Sequence, residues 1–334
     1  MASKKRRWKR IAAWTILAVF AFAVFDYWTF PLLAHRAEGR FDRGSNGLWL
    51  RYTWYFGEHS PEEVRELGRR LEENHIRYAY FHVRDIKPDG SLRYPHLAET
   101  QALNRQLADA NPSVKRIAWI YVGNTKGRGA VDLNDAKVRE RLVAEAGRLL
   151  KQGGFQGIQW DYEICDDGEP GQPALLDDSR RLLPPCWLGV AAPAWYPWPL
   201  TGVSWSEGYF RDLAQRCDQI AVMAYDSGMY HPRLYSYLVA QQANVLERVT
   251  SGTGCRFVIG APTYGDPTLS HNPRSENLAL ALAAVKNALA SSECRRCEGV
   301  ALFADYTTSP EEWDTFRRDW LIPGIPLVNR LLGD

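Results

Sequence analysis

Net charge is the first thing this chain has little of. Its 41 Lys and Arg against 39 Asp and Glu leave +2 over 334 residues. Much of the positive excess sits at the start, as Lys4, Lys5, Arg6, Arg7, Lys9 and Arg10, so the rest is close to neutral. No basic stripe interleaved with aromatics follows, which sets nucleic acid aside as a partner. Cysteine is absent until Cys165, so no thiol near the amino terminus could carry a lipoprotein's lipid. A glycine-rich phosphate loop is missing after the first strand-like run, 48–55, which argues against a doubly wound nucleotide-binding sheet.

What is there looks globular, with 46% hydrophobic and 24% charged residues. The basic start (1–10) leads into an apolar run, 11–33, broken only by Asp26. That run is long enough to span a bilayer if Asp26, Tyr27 and Trp28 sit near the far interface. Ala21-Phe22-Ala23 has the small-x-small look of a signal-peptidase site. Apolar and aromatic residues continue past it, so the segment reads as an uncleaved anchor, with the remainder outside the cytoplasm by the positive-inside rule. Residues 34–45 read as a stalk and 46–334 as the folded domain.

Apolar runs and helical patterns then alternate. Strands are expected at 48–55, 75–83, 114–122, 155–163, 187–193, 219–225, 256–262 and 299–304. Helices are expected at 60–74, 97–110, 134–152, 206–216, 235–250, 276–290 and 311–320, with only a looser stretch at 175–183. Ser60-Pro61-Glu62-Glu63 is a helix start, with a capping Ser and Pro at the first position. Eight β/α units, several with uniformly apolar strands, are the pattern of a (β/α)8 TIM barrel, here preceded by an amino-terminal membrane anchor helix.

The segment Gly154-Phe155-Gln156-Gly157-Ile158-Gln159-Trp160-Asp161-Tyr162-Glu163 reads as a buried strand ending in two carboxylates. Alternate strand residues share a face, so Gln159, Asp161 and Glu163 point one way and Ile158, Trp160 and Tyr162 the other. A polar row on an apolar strand is costly to bury without a purpose. At the carboxyl end of a barrel strand that purpose is catalysis.

These residues resemble the family 18 glycoside hydrolases. The family's fourth strand carries Asp-Gly-x-Asp-x-Asp-x-Glu, matched here by Gln156 through Glu163. Its sixth-strand Met-x-Tyr-Asp is matched by Met223-Ala224-Tyr225-Asp226, and its seventh-strand Gly-x-Pro-x-Tyr-Gly by Gly260-Ala261-Pro262-Thr263-Tyr264-Gly265. The eighth strand usually ends in Trp and ends here in Phe303. The resemblance covers most of the chain after residue 46.

Two carboxylates on one strand approach a sugar from the same side, which disfavours the usual pairing of acid and nucleophile. The resemblance implies that the substrate's own 2-acetamido oxygen is the nucleophile. Glu163 would be the general acid, its pKa raised by a neighbouring Asp161 anion. Asp161 would orient the acetamido N–H and stabilise the oxazolinium, and Tyr225 would donate to the acetamido oxygen. Gln159, Asp226, Tyr264, Phe303 and Trp195 would contact substrate, a GlcNAc-containing glycan, with no metal or cofactor. The chain departs from the pattern at Gln156 and Gln159, where the family has Asp, and at Tyr121-Val122-Gly123-Asn124, where chitinases have Ser-x-Gly-Gly. The family's peptidoglycan-directed branch often has Asn at the place of Gln159. Without an insertion domain between the seventh and eighth strands, the groove is expected to be shallow. Two functions stand at this stage: a glycosidase acting by substrate-assisted retention, and a non-catalytic glycan-binding barrel. Retention of Glu163 favours the first.

An even count of six cysteines in an exported domain is consistent with disulfides. At least one bond is expected among Cys217, Cys255, Cys294 and Cys297, which precede strands at the amino end of a barrel. A four-thiolate zinc site built on Cys294-x-x-Cys297 is the alternative.

Overall fold

In the computed structural model, residues 2–123, 130–198, 200, 204–292 and 294–322 are described. The strands are β1 (Asn46–Leu50), β2 (Ile76–Asp85), β3 (Lys115–Tyr121), β4 (Gly157–Asp161), β5 (Trp187–Pro193), β6 (Gln219–Met223), β7 (Arg256–Pro262) and β8 (Cys297–Phe303). Each pairs in parallel with the next, and β8 pairs with β1, closing the barrel. Around it run α2 (Tyr52–Tyr55), α3 (Pro61–Glu73), α4 (Leu97–Ala110), α5 (Ala136–Lys151), α6 (Gly171–Leu182), α7 (Glu207–Ala214), α8 (Pro232–Thr250), α9 (Leu278–Ser291) and α10 (Pro310–Phe316). The expected TIM barrel is therefore observed, with α1 (Ala2–Leu33) before it.

Local chemistry explains most element boundaries. Ser60 and Ser309 each form a reciprocal capping box, with Glu63 and Glu312, and Pro follows at the first helical position. Two expectations need correction. The loose stretch at 175–183 is the body of α6, whose inward residues Gln172, Leu175, Leu176 and Ser179 follow helical spacing behind a Pro in the first turn. The first strand stops at Leu50, because a turn of helix buries Trp54 and Tyr55 instead of letting them alternate across a sheet.

Strand alternation divides the core. Leu48, Leu50, Ile158 and Trp160 face the helices, and Trp160 donates its indole N–H to Ser179 Oγ on α6 at 3.1 Å. Trp49, Tyr78, Tyr80, Trp119 and Tyr225 fill the barrel interior. Part of this interior is internally hydrogen-bonded. Tyr80 donates to Gln219 Oε1 at 2.6 Å, and Gln219 Nε2 donates to Glu298 at 2.8 Å. This satisfies groups that would be costly to bury alone.

The amino end of the barrel is closed by residues 34–45, which pack against it. Asn46, fully buried, donates to Asp42 Oδ1 (2.8 Å) and accepts from the Trp320 indole (2.9 Å) and Val300 N (3.2 Å). Asp42 Oδ2 lies 2.6 Å from His75 Nδ1, and Arg43 donates to the carbonyls of Cys294, Arg295 and Cys297. The cysteines at this end differ from expectation. All six are thiols, and Cys217 Sγ and Cys255 Sγ are 3.7 Å apart, a hydrogen-bond contact and not a disulfide. Cys294 and Cys297 likewise touch as thiols, Cys294 also contacting Glu247 and Cys297 the Gly299 carbonyl. The described His, Cys, Asp and Glu residues form no group of three or more suited to a metal, so the four thiols do not assemble the zinc alternative.

Within α1, the 27 residues Arg7–Leu33 are long and apolar enough to cross a membrane. Side chains from Arg7 to Phe25 are exposed, while Asp26 is buried against the barrel.

Candidate active site

The strands deliver the motif residues to the carboxyl end of the barrel. Asp161 is the last residue of β4, and Glu163 lies two residues on, just outside the strand. Asp161 Oδ2 accepts from the Trp119 indole of β3 at 2.7 Å, while its buried Oδ1 has no partner among the described residues. Burial, and then the charge of Glu163, push the Asp161 carboxyl well above the ordinary range, and the Trp119 hydrogen bond opposes them. Glu163 is pushed up to about 6, first by burial and then by Asp226. The neighbouring charge that raises Glu163 is thus Asp226, on the loop after β6, where the sequence suggested Asp161.

Tyr225 projects inward beyond β6 and stacks on Phe303 at 4.8 Å, with its hydroxyl buried and without a partner among the described residues. Gly260 on β7 makes room for it: a Cβ there would sit 2.8 Å from Val222 O and 3.0 Å from Tyr225 Cε1. Asp226 follows in left-handed conformation, φ 51°. Together with Trp119, Pro193, Ala194, Tyr196 and Met223, these residues line a cavity of about 230 Å³ open at the carboxyl end.

Asp161, Glu163, Tyr225, Asp226 and Phe303 therefore meet in one cavity. Three other expected contacts are placed elsewhere. Gln159 lies beneath the floor, fully buried, accepting from the Trp49 indole at 3.0 Å. Tyr264 stands behind the wall, edge-on to Tyr225 at 6.3 Å and to Phe303 at 6.2 Å. Trp195 is turned toward the hydrophobic core, its backbone bonded on both sides to Gln242 of α8, while Ala194 and Tyr196 take the lining positions. Gln156 is well away, accepting from Arg116 N. Trp205 is fully buried against Tyr209 and Phe210, and Asn124 lies outside the described residues.

Sequence reasoning missed what holds the wall. Glu276 and His271, both fully buried, form a clasp between the loops after β6 and β7. Glu276 Oε1 accepts from Ser227 N at 3.1 Å and from the Ser227 hydroxyl, and Oε2 lies 3.1 Å from His271 Nδ1. His271 Nε2 in turn reaches the Tyr264 carbonyl at 3.2 Å. Glu276 looked like the first residue of a helix, and no local pattern marks it otherwise. Trp119, the partner of Asp161, was legible only as one apolar residue of a strand.

The solved structures this barrel is similar to include several chitinases. The spore cortex-lytic enzyme SleL of Bacillus cereus superposes with TM-score 0.60 and 13% identity, covering 83% of this chain and 74% of that one. A class V chitinase from Pseudomonas fluorescens Pf-5 gives 0.58 and 14%, covering 82% and 99%. A family 18 chitinase from Cycas revoluta, solved with allosamidin, gives 0.57 and 14%, covering 81% and 97%. At these identities the likeness is one of fold: a chitinase-like TIM barrel of the family 18 type. No protein-family model matches the sequence, and no curated protein matches it.

Proposed function

We propose that the protein is a membrane-anchored glycoside hydrolase, with its barrel outside the cytoplasm, that cleaves β-linked GlcNAc-containing glycans by substrate-assisted retention. The observation that carries this reading is the convergence of a carboxylic acid held near pH 6 with two orphaned polar groups, Asp161 Oδ1 and the Tyr225 hydroxyl, in one cavity. Buried polar atoms are rarely left unpaired, and these two match an acetamido group, with Asp161 accepting from its N–H and Tyr225 donating to its oxygen. Glu163 gives its proton to the glycosidic oxygen as that bond breaks. The acetamido oxygen bonds to the anomeric carbon, and the resulting positive oxazolinium lies beside Asp161. Water then attacks the same carbon, Glu163 takes its proton, and the acetamido group is restored with net retention. The chitinases and the cortex-lytic enzyme of like fold support a GlcNAc polymer as the substrate class.

Gln159 favours a second reading, a binding barrel without turnover. Its amide cannot take a proton from Asp161, and its carbonyl is committed to Trp49. Incubating the full chain with chitin oligomers, peptidoglycan strands and N-glycans, with products read by mass spectrometry, separates the two. The enzyme reading expects shortened GlcNAc-terminated products that vanish in Glu163→Gln. Binding without any product would establish the second.

A further inference from the structure

The anchor and the cavity share one end of the barrel. The loops after β6 and β7 and the amino terminus of α8 all lie at the carboxyl end, and α1 docks against them. Asp26 pairs bidentately with Arg233, at 2.6 and 2.8 Å. His231 Nε2 lies 3.3 Å from the Ala23 carbonyl, and the Arg274 guanidinium sits 3.8 Å over Trp28. From there the chain descends: Asn287, late in α9, bonds the His35 carbonyl and Ala37 N, and Arg43 reaches the carbonyls beneath β8. Followed backward, α1 climbs the side of the barrel and leaves it past the catalytic end, with Arg7 to Phe25 exposed.

Length then sets the height of the barrel. A bilayer core takes about 20 helical residues, so a span that begins at Ile11 ends near Phe30. Ile11 to Asp26 covers only about 23 Å at 1.5 Å per residue. Contact with the barrel begins at Ala23, before the span is complete. The upper loops must therefore meet the headgroups. Their surface fits that position. Trp198, Leu200, Tyr230, Leu234, Tyr237 and Leu269 are all exposed large apolar residues on the loops after β5, β6 and β7 or in the first turns of α8, Leu269 at 96%. Arg233, paired with Asp26, and Arg274, over Trp28, stand among them and hold α1 against this surface.

We infer that the catalytic end of the barrel rests on the outer surface of the membrane that α1 crosses, and that the glycan it takes is one tethered to, or emerging from, that same surface. This rests on the anchored-glycosidase reading above. A long polymer held away from the membrane would have to reach the cavity edge-on, between barrel and lipid. A lipid-linked or nascent glycan is presented to it directly.

The test uses the full chain in vesicles of phosphatidylcholine and phosphatidylglycerol. A photoreactive benzoylphenylalanine is placed in turn at Leu269, at Tyr230 and, as a control at the opposite end of the barrel, at Leu182, and lipid adducts are counted after irradiation. Adducts at 269 and 230 and none above background at 182 are expected. Equal yields at all three positions, or adducts only at 182, would overturn the inference. Protection of 269 and 230 by protein–protein adducts alone, in detergent as in vesicles, would overturn it in favour of a second copy of the chain. Release of the chain by alkaline carbonate would remove the anchor and this inference with it, leaving glycosidase activity to be judged separately. Lipid adducts in a chain that hydrolyses neither free nor lipid-linked GlcNAc oligomers would uphold the orientation and overturn the enzyme. In an active chain, the double variant L234D/L269D should lose turnover of the lipid-linked oligomer and keep that of the free one. Unchanged turnover of both would contradict the inferred contact.

Discussion

The two ends of this barrel are built on opposite principles. At the amino end, the Asn46 node is saturated: its amide and carbonyl, Asp42, the Trp320 indole and the Arg43 guanidinium all find partners within the protein. At the carboxyl end, Asp161 Oδ1 and the Tyr225 hydroxyl are buried without any among the described residues. Orphaned atoms occur near the amino end too, on Trp187 and Arg116, but neither residue lines the cavity. Satisfied polar groups in a core fix the fold. Unsatisfied ones that converge on an open cavity are held for something else to complete, which is how a barrel separates stability from chemistry between its two faces.

The contrast can be broken most sharply at Glu163. Glu163→Gln should lower kcat by about 10²–10⁴-fold, the usual weight of general acid catalysis, with folding retained by circular dichroism. The same variant should be more stable than the parent at pH 7.5. The native carboxyl is raised from 4.5 to about 6, so its favourable contribution is complete below 4.5 and is lost as pH rises through 6. The gain is at most about 2 kcal/mol, and it should disappear at pH 4 in denaturant titrations. At the other end, Asn46→Ala should cost about 3 kcal/mol, because it strands the Trp320 and Val300 N–H groups in the core. Activity per folded molecule should be unchanged.

Smaller effects sharpen the comparison. Tyr225→Phe removes a hydroxyl that bonds none of the described residues, so it should not lower the thermal midpoint, and it should lower kcat/KM by about tenfold, one hydrogen bond to the acetamido oxygen. A matching loss of stability would mean that the hydroxyl has a structural partner. Glu163 is raised first by burial and then by Asp226, and Asp226→Asn removes the second of these. The alkaline limb of the kcat/KM profile, set near pH 6 by loss of the Glu163 proton, should then move to lower pH.

Much of this architecture was legible because it is local. β5 and β7 fall on the expected residues because each is an apolar run bounded by turns, and α3 announces itself through Ser60 and Glu63. Asp161, Glu163, Tyr225, Asp226 and Phe303 were found through motifs at strand ends, and they do meet in one cavity. What escaped depends on distance in sequence. The Glu276–His271 clasp joins loops that follow two different strands, and Ser227 is 49 residues from Glu276. Trp119 meets Asp161 across 42 residues. Trp195 was misplaced by parity: it falls just after β5, between the lining residues Ala194 and Tyr196, so its side chain turns away. The cysteines were grouped at the correct end, but proximity in topology did not bring sulfurs within bonding distance.

The account rests on the 2-acetamido group being what completes the carboxyl end. Hydrolysis of a chromogenic β-linked chitobioside by the full chain, set against the cellobioside that differs only in bearing hydroxyls at those positions, tests it directly. The acetamido substrate should be cleaved with retention, its rate falling as pH rises through about 6, and the plain glucoside should not be cleaved at all. Comparable hydrolysis of both, or full activity toward either in Glu163→Gln, would contradict the account.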